Sequence, residues 1–305
     1  MKPEIALMIE GQNGLNWPRW QRIARAAEDL GFYGLFRSDH FTNPDPPDLD
    51  ALELWISLAW LASHTRRLIF GPLVTPLSFR HPVLTAWMAA AVDDLSGGRL
   101  ILGLGAGWQV REHEMFGFDL LPPRERFLRF QEGVEVIYRL LRSARPVDFQ
   151  GRFFQLKGAT LRPRPQRPGG PPLLIGGNGL RQTLRIAARY ADEWNAVLVP
   201  PERFRMLNMQ LNEYLAREGR PPEQVRRSLM TGLVFGRDPE EVRRKRSGRS
   251  EDALRARGVL VGTPSEIREQ IENLGEAGVE RLMIQWLDLD DLEGLEHLAR
   301  AVLER

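Results

Sequence analysis

Leu173-Leu174-Ile175-Gly176-Gly177-Asn178-Gly179-Leu180-Arg181-Gln182-Thr183-Leu184 reads as a short buried strand, a glycine turn and the start of an amphipathic helix. Leu184, Ala187, Ala188 and Ala191 recur at helical spacing, with Arg181, Arg185 and Arg189 on another face. A strand that hands over to a helix through glycines is one βα unit. It opens the helix's first N–H groups to an anion. Glycine takes positive φ and lets a phosphate approach the backbone. Two readings stand side by side: a cofactor's phosphate cradle, or an ordinary βα turn.

The same alternation runs through the 305-residue chain. Apolar runs predict strands over 5–9, 34–37, 67–74, 100–104, 172–175, 196–199, 229–235 and 281–286. Helical periodicity predicts helices over 17–30, 51–63, 82–95, 124–141, 180–190, 201–217, 264–277 and 289–303. Pro18 and Thr263-Pro264-Ser265-Glu266 are start signals, and Gly31 and Gly278 stand where C-cap glycines belong. Eight strands each followed by a helix is the pattern of an α/β fold, the (β/α)8 TIM barrel. A doubly wound open sheet uses fewer strands in this length. One segment interrupts the pattern. Residues 147–154 read as a hairpin turning at Gln150-Gly151, followed by a proline-rich extended stretch over 162–172. The expectation is one domain over 1–305, with an insertion over about 145–171 before the fifth strand and a variable loop over about 237–258.

Composition narrows the class. Absence of cysteine excludes disulfides, thiolate metal sites and cysteine nucleophiles. No run of about 18 uncharged apolar residues and no signal peptide is present, so a soluble cytoplasmic protein without membrane contact is expected. Forty-two Lys+Arg against 40 Asp+Glu is nearly balanced. The one basic tract, Arg243-Arg244-Lys245-Arg246-Ser247-Gly248-Arg249, follows acidic residues and lacks interleaved aromatics. It reads as a solvated loop or helix end, not a nucleic-acid site.

In such a barrel, chemistry gathers where strands end. The second strand ends in Ser38-Asp39-His40-Phe41, and a histidine beside a carboxylate suits general acid–base work. The third carries Gly71-Pro72 inside it, which implies a bulge or a cis bond where the backbone bends. The fourth ends in Gly103-Leu104-Gly105-Ala106-Gly107-Trp108, small residues that leave room for a flat ligand with Trp108 as a stacking wall. Glu112-His113-Glu114 cannot converge on one ion, so no metal is expected. His64 and His297 lie within helices as surface residues. Ser38, Ser78 and Ser96 lack a nucleophile-elbow setting, which argues against a hydrolase.

These segments together resemble the bacterial luciferase-like superfamily, in particular its coenzyme F420-dependent oxidoreductases. The matching stretches are Ser38–Phe41, Leu73–Pro76, Ser96–Trp108, Ile175–Gly179 with Ala187–Asn195, and Val261–Pro264, in family order. The resemblance implies a barrel with its cofactor at the strands' C-terminal ends. Gly71, Pro72 and Leu73 would support the ring face, where family members often carry a non-prolyl cis bond. Thr75, Ala106, Gly107 and Trp108 would line the ring and ribityl chain. Gly176, Gly177, Asn178, Gly179 and Leu180 would hold the phosphate. Asp39 and His40 match a proton-transferring pair, and Phe41, Trp108 and Glu112 would face the substrate. Trp108 stands where a glutamate donates the proton in some members, so that role is either absent or moved to Glu112 or Glu10. Three functions follow: F420-dependent hydride transfer to or from a small molecule; an FMN-dependent monooxygenase using reduced flavin and O₂; or a non-catalytic flavin or deazaflavin binder. The family also implies a homodimer.

Overall fold

The glycine turn and its neighbours lie in a ring of parallel strands, in a computed structural model that describes residues 2–303. In chain order the ring and its helices are β1 (Glu4–Ile9), α1 (Trp17–Leu30), β2 (Gly34–Arg37), α2 (Leu54–His64), β3 (Ile69–Pro72), β4 (Thr75–Pro76), α3 (Pro82–Ser96), β5 (Leu102–Gly105), α4 (Val110–Phe116) and α5 (Pro123–Arg142). A hairpin, β6 (Val147–Gln150) and β7 (Gln155–Ala159), precedes β8 (Leu173–Gly176), α6 (Thr183–Tyr190), β9 (Glu193–Val197), α7 (Pro201–Arg217) and β10 (Arg226–Thr231). There follow β11 (Leu233–Phe235), α8 (Pro239–Arg246), α9 (Glu251–Ala256), β12 (Leu260–Gly262), α10 (Pro264–Glu276), β13 (Arg281–Gln285) and α11 (Leu292–Leu303).

Nine strands pair in the order β3-β2-β1-β13-β10-β9-β8-β5-β4. Because β3 and β4 are two pieces of one stave, this is an eight-stave barrel. β3 pairs with β2, and only the bridge Phe70–Leu100 joins it to its other neighbour. Past a cis peptide at Leu73–Val74, β4 pairs with β5. The bend expected at Gly71-Pro72 therefore falls two residues later. Glycine at 71 is required for a different reason. A Cβ there would lie 1.9 Å from the Ile101 carbonyl oxygen, and one at Gly103 would lie 2.1 Å from that of Pro72.

Apolar residues sort by the period of their element. The inner stripe of α1, Trp20, Ile23, Ala24 and Ala27, packs on the outside of the ring. Alternate strand positions, Ala6, Met8, Phe36, Ile101, Leu174 and Met283, fill its inside. At the N-terminal end buried Arg281 pairs with Glu193 and Glu4 and stoppers the ring. The mouth is at the other end.

Several sequence expectations need correction. The sixth stave begins at Glu193, before the Ala196 expected, and the run over 229–235 breaks at Gly232 into β10 and β11. β12, which pairs with β11 outside the ring, and α4 were not anticipated. The variable loop over 237–258 contains α8 and α9. Asp238 caps α8 by accepting from Glu240 and Glu241 N–H groups. The basic tract is the end of that helix, and Glu241 is flanked by Arg237, Arg244 and Lys245. The hairpin turns at Gly151–Phe154, closed by Gly151 N–H to the Phe154 carbonyl at 2.9 Å. Among the described residues no helix is long and apolar enough to cross a membrane.

Candidate active site

A cavity of about 590 Å³ opens at the C-terminal mouth of the barrel, within the usual range for a cofactor or small-molecule site. Its floor is set by strand ends: Met8 on β1 and Glu10 just after it, Asn195 and Val197 on β9, Met230 on β10 and Gln285 on β13. One wall is the bend after β3, with Leu73 and Val74; beside it, after the neighbouring β5, are Ala106, Gly107 and Trp108.

The glycines of this wall make room for a side chain of the protein itself. A Cβ at Gly105 would lie 2.4 Å from Val74 Cγ2, and one at Gly176 would lie 2.8 Å from Val74 Cγ1. Their smallness seats Val74, which in turn faces the cavity. This revises the expectation that they were left small for a flat ligand. Gly107 has φ +81° and is pressed against Ser78, where a Cβ would be 2.1 Å from Oγ.

The end of β2 and the loop after it distribute four consecutive side chains to four tasks. Arg37 is fully buried, donating to Ser57 Oγ at 2.7 Å and to the Leu52 carbonyl, and burial pulls its pKa down to about 10. Ser38 Oγ accepts from Gly11 N–H at 2.8 Å and donates to Gln12 at 2.7 Å. Asp39 turns away from the cavity: its carboxylate accepts from Arg80 at 2.7 and 3.1 Å and from Thr75 Oγ1 at 3.0 Å. His40 faces the cavity, and Ser38 contributes to the lining beside it.

His40 Nδ1 meets Glu112 Oε1 at 2.9 Å, and Glu112 Oε2 accepts from Phe41 N–H at 3.1 Å. Glu112 is 1% exposed and is not in the cavity wall. Burial works against the imidazolium, but the hydrogen bond and charge of Glu112, reinforced by Glu10 and Asp39, outweigh it. The His40 pKa is raised above its ordinary value. Nε2 has no protein partner among the described residues, and Trp108 stands edge-on to the ring at 5.6 Å. Trp108 itself is 58% exposed at the cavity rim.

The glycine turn is built otherwise than the sequence implied. Gly176 and Gly177 line the cavity, and Gly177, at φ +126°, donates to the Asn195 carbonyl at 2.9 Å. Asn178 spends both side-chain atoms on Val197, accepting from its N–H at 2.9 Å and donating to its carbonyl at 2.7 Å. Helix α6 begins only at Thr183, leaving Gly179 exposed and Leu180 packed against the core. Neither these two nor Asn178 lines the cavity.

Four further expected site residues lie outside the wall. Gly71, Pro72 and Thr75 are buried behind it. Phe41 stacks at 5.8 Å on Phe118 and packs on Phe79 at 5.0 Å, beneath α4. Trp286 is core, while its neighbours Gln285 and Leu287 line the cavity.

Other contributors were missed. Arg80 fixes Asp39, and nothing in its Phe-Arg-His surroundings signals that ion pair. Leu198 lines the cavity with φ +49°, a left-handed conformation that costs a leucine about 1–2 kcal/mol. Asn195 is fully buried at the floor. It donates to Ser228 at 2.9 Å, while its Oδ1 has no partner. Among the described residues no group of three or more His, Asp and Glu is placed to hold a metal ion.

Similar proteins share both sequence and architecture. The 5,10-methylenetetrahydromethanopterin reductase of Archaeoglobus fulgidus is 27% identical over 90% of this chain and 91% of its own. The F420-dependent glucose-6-phosphate dehydrogenase of Kineococcus radiotolerans is 30% identical over 72% of this chain and 64% of its own. A solved F420-dependent secondary alcohol dehydrogenase superposes with a TM-score of 0.85 over 99% of both chains at 20% identity, which establishes the barrel. The profile described as luciferase-like monooxygenase matches residues 4–250, and the chain belongs to that family.

Proposed function

We propose that the chain is an F420-dependent oxidoreductase acting on a small organic molecule, with His40 as its proton carrier. The observation that carries this reading is the His40–Glu112 pair, with Nε2 of His40 unpartnered in the wall of the cavity. The reductase and dehydrogenase relatives support the same cofactor for this chain.

The residues present fit such a group. Asn195 offers a buried, unpartnered acceptor at the floor, suited to a ring N–H. Val74 and Leu73 offer an apolar wall for a planar ring. Gly176 and Gly177 open the backbone at the turn, where Arg181 stands exposed. When bound, a deazaflavin supplies the redox equivalent, exchanging a hydride with substrate carbon at C5. His40 takes the hydroxyl proton at Nε2 as the substrate's C–O bond becomes C=O, and returns it in the reverse direction. Glu112 fixes the imidazole and stabilises the imidazolium that results. The apolar walls exclude water from that exchange.

The chain acts as a homodimer in this reading. Ile56 on α2 and Leu84, Trp87 and Leu95 on α3 form an exposed apolar face on adjoining helices, the composition of a buried interface.

Paired titrations of cofactor-free protein with coenzyme F420 and with FMN, followed by fluorescence, test the proposal. Micromolar or tighter deazaflavin binding with weak FMN binding is expected. The reverse preference overturns it in favour of an oxygen-using flavin monooxygenase.

A further inference from the structure

Resting on that reading, we infer that the substrate is an uncharged, largely apolar alcohol or its carbonyl counterpart, and that Glu10 enforces the choice of charge. Among the described residues the lining of the cavity holds two ionisable side chains, Glu10 and His40, and no lysine or arginine. Apart from Leu73 and Val74, which take the ring, the lining carries apolar Met8, Leu198, Met230 and Leu287 and uncharged amides such as Asn13 and Asn43.

Glu10 is clamped by neutral donors. Its Oε1 accepts from Gln285 Nε2 at 2.6 Å and its Oε2 from Gln12 Nε2 at 2.9 Å. Gln12 is itself buried and held by Ser38 Oγ. No cation pairs with Glu10 within 4.0 Å among the described residues. Each carboxylate oxygen keeps a lone pair for a hydroxyl hydrogen, so the side chain welcomes an O–H and repels an anion. The nearby arginines are committed elsewhere. Arg80 pairs with Asp39 and Glu53, Arg111 with Asp48, and Arg37 is buried against Ser57. A phosphate or carboxylate entering beside Glu10 meets no cation except His40, which Glu112 already pairs, and this makes its desolvation unfavourable.

The apolar remainder has a path outward. Trp108 and Leu287 both line the cavity and are 58% and 48% exposed at its rim. A hydrocarbon group longer than the cavity lies across these two side chains, with its oxygen turned in toward His40 and Glu10.

The test is a matched pair of ligands, cyclohexyl methyl ketone and cyclohexanecarboxylate, titrated by tryptophan fluorescence against the protein alone and against the protein saturated with oxidised coenzyme F420. The ketone is expected to bind about 10²-fold more tightly than the carboxylate in both forms. Glu10→Gln is expected to close that gap by about tenfold or more, by tightening the carboxylate. Leu287→Lys, at an exposed position that tolerates charge, is expected to tighten the carboxylate too and serves if Glu10→Gln does not fold. Equal affinity for the two ligands overturns the substrate class. An unchanged ratio in a folded Glu10→Gln overturns the role of Glu10. Because the ligand pair is also read without cofactor, a failure of F420 to bind registers separately.

Discussion

The proposed role of His40 as proton carrier rests on Glu112, which holds its Nδ1 and raises its pKa while Nε2, in the cavity wall, has no partner among the described residues. Replacing His40 with alanine should cut turnover about 10²–10⁴-fold while F420 affinity stays within several-fold, measured by steady-state kinetics and titration. Glu112→Gln should lower the His40 pKa, because it removes the hydrogen bond and charge that hold it up. The rising limb of alcohol oxidation, which needs neutral His40, should then move to lower pH. A merely structural glutamate would leave that limb in place. The same pair contributes stability that is fully present below the ordinary histidine pKa of 6.5 and is lost as pH rises through the raised folded value. Asp39→Asn should instead cost stability, about 2–3 kcal/mol by chemical denaturation, since it breaks a pair whose carboxylate is buried and whose guanidinium is still 18% exposed. In the sequence, Asp39 and His40 stand next to each other and read as one functional pair. Adjacent side chains after a strand point to opposite sides, and that geometry separates them. Glu112 was visible as a candidate, but the partner of each of its oxygens lies 71 or 72 residues away and leaves no local trace.

Elements were legible where periodicity was long and their ends were marked. Helices α1 and α7 fall on the expected bounds, and Thr263 and Glu266 form the capping box that opens α10. What escaped was short or set by distant contacts: β12 has three residues, α4 has seven, and the split of the third stave depends on pairing with β2 and β5. The glycines make the same distinction measurable. Gly31→Ala strains a C-cap at φ +92° with open space around it and should cost about 1–2 kcal/mol. Gly71→Ala drives a methyl group into the Ile101 carbonyl and should cost at least about 3 kcal/mol in the same urea titration. Nothing in the local sequence ranks these two glycines; the neighbouring stave does.

At the scale of the whole molecule, the barrel class was written in the eightfold alternation, and the family stretches ran in order along it. The apolar outer face of α2 and α3 is not legible in the sequence, because both helices are apolar nearly all round and show no stripe to read. Leu84→Glu with Trp87→Glu should convert the proposed dimer to a folded monomer, with light scattering falling from the mass of two chains to one. Ring closure carries a consequence of its own. β3 reaches its far neighbour through the single bridge Phe70–Leu100, and only beyond the bend does β4 resume the pairing. A ligand resting on Leu73 and Val74 therefore acts as a clasp at the point where the pairing of that stave is interrupted. At a hundredfold excess over its dissociation constant it adds about 2.7 kcal/mol to the closed form. That gain should register as slowed amide exchange along residues 69–76 and 100–105, while the opposite side of the ring exchanges as before.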